Sequence, residues 1–324
     1  MIRQLLAPLA AAALALTLPG AAAAQAPATA VADAAELATR FDPPLGKPLR
    51  YKLTQEKVRD GSSESSVMEQ EVTYTRGSEG VVMTLRPLRV TTGGTSIDLT
   101  DPKAPLPPAF KLLTAPVAFD LDSDGAIVRV RGWEDYKRNL IAAIPEIAAS
   151  AEPVVAKRPQ TEKFMRDFFG KYLAASAEDA PQLVLKGWPD VLELMGAAAP
   201  AGKVVELKTV AASPLFPDPL NYNVKLTMSQ QPSGILRIEV TSVPDPAALK
   251  KLVSSLVDPI IKSAPPDVKM DRGEMERTIA GMDLTMTMVV DLDAKTGLVR
   301  RAVLQKNIQL DDKTAFERVT IEAM

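Results

Sequence analysis

Residues 221–240 read NYNVKLTMSQQPSGILRIEV. Tyr222, Val224, Leu226 and Met228 fall on one parity, with Asn221, Asn223, Lys225 and Thr227 on the other. Beyond the Pro232-Ser233-Gly234 turn, Leu236, Ile238 and Val240 follow. Period-two alternation builds a strand with one face buried and one face wet. The stretch therefore predicts an antiparallel hairpin, and the rest of the chain is read against it.

Toward the C-terminus, Asp245-Pro246 opens a helix, with a capping aspartate and a proline at the first helical position. Its apolar stripe is Leu249, Leu252, Val253, Leu256, Val257, Ile260 and Ile261, and Pro259 falls in its last turn. Strands are then expected over 284–290, 298–310 and 314–321. Toward the N-terminus, Met68, Val72 and Tyr74 alternate with Glu69, Glu71, Thr73 and Thr75, and Val81, Met83 and Leu85 repeat the habit. A further hairpin turns at Asp122-Ser123-Asp124-Gly125. Between the two strand groups lie helices. Trp133, Tyr136, Leu140, Ile141 and Ile144 share one helical face, Phe164, Phe168, Phe169 and Tyr172 a second, and a third, weaker helix runs over 189–195.

Strand groups separated by helices give an α+β class, with a twisted antiparallel, half-barrel-like sheet carrying helices on one face. The expected organisation is a signal peptide over 1–24, a flexible lead-in over 25–46 and one α+β domain over 47–324. That domain could also divide into two similar halves, 47–195 and 203–324.

The start of the chain carries the address. Arg3 precedes a Leu/Ala run to Leu18, Pro19-Gly20 breaks it, and Ala21 to Ala24 supply small residues for a signal peptidase. That order is a secretory signal, expected to be cut after Ala24. The run is too short to span a bilayer, which takes ~20 residues. The Ala-rich signal and Ala/Pro tail point to a periplasmic or secreted protein with no transmembrane span in its mature part.

Composition excludes more than it assigns. The chain has no His and no Cys. This removes Ser-His-Asp and Cys-His catalysis, thiol redox chemistry and nearly every zinc, copper or haem site. Without Arg3 there remain 37 basic and 40 acidic residues, interspersed, a formal charge of −3 and no nucleic-acid-binding face. Asp120 to Gly125 matches half of a calcium loop, but Arg131 stands where the bidentate glutamate belongs, so a hairpin turn is the reading. Residues 291–297 read the same way. No catalytic residue, metal ligand or cofactor is expected, and the chain is read as a non-enzyme.

The two tryptophans sit in matching contexts, Gly132-Trp133-Glu134-Asp135 and Gly187-Trp188-Pro189-Asp190, each read as a joint between an apolar strand and a helix. The aromatic stripe of Phe164, Phe168, Phe169 and Tyr172 reads as core or as a flap over an apolar cavity. Met286 and Met288 lie on a Met-rich strand whose thioethers suit varied apolar ligands. With Trp133 and Trp188, these six are the candidate lining of an apolar-ligand site.

At the level of pattern, the meander over 49–90, the hairpin-into-helix over 120–133 and the closing strands over 284–321 resemble exported bacterial proteins of uncharacterised function. The layout is similar to that of periplasmic lipoprotein-carrier-type half-barrels. The resemblance implies an apolar-ligand cavity and no enzymatic activity. The leading expectation is thus a periplasmic, non-catalytic binding or carrier protein for an apolar, lipid-like molecule. The alternatives are an envelope interaction protein that recruits a protein partner through sheet edges, and a carboxylate-dependent hydrolase.

Overall fold

The alternating runs become strands of one antiparallel sheet, described in a computed structural model. It covers residues 35–324 apart from 60–61, 79, 102, 104–105, 107–109, 111–113, 152–153, 186, 212–219, 252–253, 255–256, 258–271, 274–281 and 311–312. The expected signal peptide, the first part of the lead-in and the stripe residues Leu252, Val253, Leu256, Ile260 and Ile261 lie outside the described residues.

In chain order the strands are β1 (Glu36–Ala38), β2 (Pro48–Arg59), β3 (Ser62–Arg76), β4 (Val81–Thr92), β5 (Thr95–Asp98), β6 (Val117–Leu121) and β7 (Ile127–Arg131). After the helices come β8 (Ala198–Pro200), β9 (Val204–Ala211), β10 (Leu220–Gln231), β11 (Ile235–Pro244), β12 (Met282–Asp293), β13 (Val299–Leu310) and β14 (Lys313–Ala323). The sheet runs β7-β6-β4-β3-β2-β14-β13-β12-β11-β10-β9, with β5 on β4 and β1 paired to β8 apart from it. It is not closed into a barrel, and with its helices it makes an α+β fold. The seam between β2 and β14 is a long ladder, from Tyr51 opposite Ala323 to Val58 opposite Phe316.

Alternation decides which face is inside. Along β10, Leu220, Tyr222, Val224, Leu226 and Met228 are buried while Asn221, Asn223 and Lys225 are exposed. β12 buries Leu284, Met286, Met288, Val290 and Leu292 the same way. Each such side chain contributes on the order of 1.5–3 kcal/mol of burial. In β4, Pro87 sits where the register slips, because a residue without an N–H is tolerated at a bulge and not in a regular ladder.

The helices are α1 (Trp133–Ala151), α2 (Arg158–Ala174), α3 (Pro181–Val184) and α4 (Trp188–Leu192). On α1 the buried residues are Trp133, Leu140, Ile144 and Ala148, whereas Ile141 is 39% exposed. The spacing i, i+7, i+11, i+15 is a narrower stripe than the one expected from sequence, and Ile141 lies at its margin. The run before Trp188 is helical turn α3 and not a strand, since Pro181 starts a helix readily at its first position. Helical residues also occupy 246–251. There Asp245 caps as expected, its carboxylate accepting from the Ala248 N–H at 2.8 Å.

Part of the lead-in is tied down as a strap. Beyond β1, the Thr39 N–H donates to the Ala197 carbonyl and the Asp42 N–H to the Thr296 carbonyl. Phe41 stacks edge-on to Tyr74 at 5.7 Å and lies directly over Gly125, where a Cβ would collide with its ring.

Candidate functional site

The core on the inner face of the sheet gathers Trp133, Trp188, Met286 and Met288. Trp188 sits at its centre. Gly187 (φ +78°) turns the chain close over Val319, Ile321 and Leu304, and the Trp188 ring meets Tyr51 edge-on at 5.0 Å. The indole thus lies across the β2–β14 seam, fully buried, its Nε1 without a hydrogen-bond partner among the described residues. Met286 and Met288 are buried in the same core. Trp133 is buried at the other joint, where Nε1 donates to the Ala175 carbonyl at 2.8 Å and Tyr136 stacks on the ring. Phe169 is half-buried on α2. The side chains of Phe164, Phe168 and Tyr172 lie outside the described residues.

Two apolar layers are separate among the described residues. One is the core on the sheet. The other is the α1–α2 pair, which packs on itself. Leu140, Ile144 and Ala148 of α1 are buried, yet among the described residues they do not join the core on the sheet.

The inner face carries a polar row between apolar residues, which sequence reading missed; beyond the row Ala315 and Ile308 are buried again. At one end the floor is Tyr51, Leu53, Val319, Ile321 and Leu304. Further along the same parity of β2 stand Gln55, Lys57 and Arg59, and on β14 Glu317. Glu317 is 4% exposed, accepts from Gln55 Nε2 at 2.5 Å and pairs with Lys57 Nζ at 3.8 Å. Register places Lys57 and Lys306 on either side of it. The Nε of Arg59 is buried without a hydrogen-bond partner among the described residues. The signal was present in the sequence: Glu317 interrupts the apolar parity Ala315, Val319, Ile321, but Phe316 on the opposite parity obscured the alternation.

A second cluster lies on α4 and its following turn. Burial and the neighbouring Asp190 charge push the Glu193 carboxyl up to about 8, against the opposing hydrogen bond from Gln182 Nε2 at 3.0 Å. Elsewhere, acids are committed to structure. Desolvation raises Asp120, but the Arg129 and Arg131 guanidiniums bonded to it outweigh that and hold it below the usual carboxylate range. Asp293, held at about 2 chiefly by Arg300, anchors its turn by accepting from Thr296 and Lys295. The Asp122 carboxylate accepts from the N–H groups of Asp124 and Ala126. Both calcium-like runs are therefore hairpin turns whose leading aspartates bond to their own backbones. Among the described residues no group of three or more acids is placed to hold a metal ion.

The wet face over β2 and β11–β14 is a charged lattice around a groove of about 600 Å³. Its arginines are paired: Arg237 with Asp291 at 2.7 Å, Arg301 with Glu322 at 3.1 Å and Arg318 with Glu56 at 3.3 Å. Of the two ends of the sheet, β7 is covered, because the Val130 N–H donates to the Ala177 carbonyl. β9 receives no such bond among the described residues. Among them, too, no helix is long and apolar enough to cross a membrane.

No protein-family model and no curated protein matches the chain. Among solved structures, a porin-like protein from Bacteroides uniformis is similar at 10% identity, covering 87% of this chain and 97% of its own, with a TM-score of 0.21. MucB in complex with MucA(peri) is 12% identical over 85% and 88%, with a TM-score of 0.14. The MucA/MucB complex of Pseudomonas aeruginosa is 13% identical over the same shares, with a TM-score of 0.12. Likenesses this slight transfer neither a fold nor a function.

Proposed function

We propose that this is an exported, non-catalytic envelope protein that holds an amphipathic, lipid-like molecule between the inner face of the sheet and the α1–α2 pair. The carrying observation is the polar row Lys57, Glu317, Lys306 with Arg59 beside it, set into an apolar face between the floor around Tyr51, Leu53 and Ile321 and the buried Ala315 and Ile308. An apolar floor with a few convergent polar groups is the usual composition of a small-molecule site. Lys57, Lys306 and Arg59 against Glu317 and Glu64 leave this part of the face one positive charge in excess, which favours an anionic head. The separate apolar layer of α1 and α2 supports a body that parts from the sheet to admit a tail. Met286 and Met288 supply adaptable packing for it. The sequence signal over 1–24 supports the envelope address.

The test is titration with two fluorescent probes of equal chain length, one ending in a carboxylate and one in an alcohol. The wild-type protein takes up both and prefers the anion. Lys57→Gln lowers affinity for the carboxylate probe about tenfold, the size of one lost charge-assisted contact, and leaves the alcohol probe unchanged. Uptake of neither probe by the wild-type protein overturns the reading.

A further inference from the structure

From the open edge of the sheet we infer that two copies of this chain pair through β9, antiparallel about a two-fold axis at Leu207. The surface lies away from the ligand site, so the inference does not rest on the reading above.

Backbone direction comes first. The Asp245 N–H donates to the Asn221 carbonyl, so the odd-numbered residues of β10 bond toward β11. The even-numbered ones then bond toward β9, and the Met228 carbonyl does accept from Gly202 on that side. Opposite them in register are Val205, Leu207, Thr209 and Ala211. Consequently Val204, Glu206, Lys208 and Val210 aim their N–H and C=O groups out of the sheet. An edge of this length, unpaired among the described residues, is a template for another strand.

Side chains choose the occupant. Val204 and Val210 are 60% and 59% exposed, an unusual pair of apolar ends for a solvated edge. An axis at Leu207 sets Val204 opposite the partner's Val210 and places Glu206, which pairs with Lys225 of its own chain at 3.1 Å, between that lysine and the partner's Lys208, each residue exchanging both backbone bonds with its opposite. Moving the axis one residue sets Glu206 against its own copy or Lys208 against its own copy, and like charges directly opposite are destabilising. Only the Leu207 axis matches backbone, charge and apolar ends together. On the inner side, half-buried Val205 and Leu207 already pack against the core, and the second copy's Leu207 and Thr209 would continue that layer.

The chain has no cysteine, so single cysteines report the register. At the axis the Leu207 Cα atoms of a non-hydrogen-bonded pair would be ~4.5 Å apart, within disulfide reach. Leu207→Cys is expected to give a covalent dimer on oxidation, whereas Val205→Cys, which meets the partner's Thr209, does not. In sedimentation equilibrium Glu206→Lys weakens association about tenfold through its two symmetry-related repulsions. The exchange Glu206→Lys with Lys208→Glu restores association. Glu206→Pro leaves the monomer folded, since its N–H faces outward, and abolishes the dimer. A wild-type protein that stays monomeric to its solubility limit, or cross-linking of Val205→Cys equal to that of Leu207→Cys, overturns the inference.

Discussion

Glu193 shows how a single half-buried acid links this fold to pH. Its carboxyl titrates near 8 where the ordinary value is 4.5, so it is protonated at neutral pH. The folded state thus binds more protons than the unfolded one between those values. The contribution of Glu193 is complete below pH ~4.5 and is lost as pH rises toward about 8. Glu193→Gln keeps the shape and removes the titration. Thermal melts over a pH series should show the variant matching wild type in acid and exceeding it by roughly 1–2 kcal/mol at pH 8 and above, a discounted share of the full shift because the residue is only half-buried. Identical pH profiles for the two proteins would contradict this. Neither Glu193 nor Glu317 was singled out from sequence. Carboxylates are common in the chain, and what distinguishes these two is burial, which for Glu193 depends on how short helices stack on the sheet.

At the scale of elements, the strands and the hairpin turns were legible because each writes its own periodicity or turn chemistry. So was the strand-to-helix joint at Trp133, whereas at Trp188 only the glycine turn into a helix was legible; Gly132 and Gly187 take φ of 70° and 78°. The strap was not legible, since Thr39 to Asp42 has no periodicity and is fixed by contacts with turns distant in the chain. One of those turns is set by Asp293 and ends at Gly297, where φ is +71° and a Cβ would overlap the Arg40 carbonyl. Gly297→Ala therefore combines left-handed strain with a backbone collision and should cost roughly 2–4 kcal/mol in urea unfolding. Gly202, at φ +66° with open space around its Cβ position, is the control. Gly202→Ala carries the conformational strain alone, about 1 kcal/mol. Equal losses at both positions would mean that the strap does not press on the 293–297 turn.

For the molecule as a whole, sequence reading reached the α+β class and the antiparallel sheet because period-two alternation marks strands with one buried face and the 3.6-residue stripes mark helices between them. It did not reach strand order, which is set by the long-range β2–β14 ladder that joins the two ends of the chain. Nor did it reach the polar row on the inner face, which becomes a site only when three strands bring Lys57, Glu317 and Lys306 together. The claim that this row and the apolar floor beside it hold an amphipathic molecule is the centre of the account. Native mass spectrometry of protein purified from the periplasm without detergent tests it most directly. The account predicts a bound mass of lipid size that disappears on extraction with organic solvent and returns when an anionic lipid is added. A clean unliganded mass that added lipids do not change would contradict it.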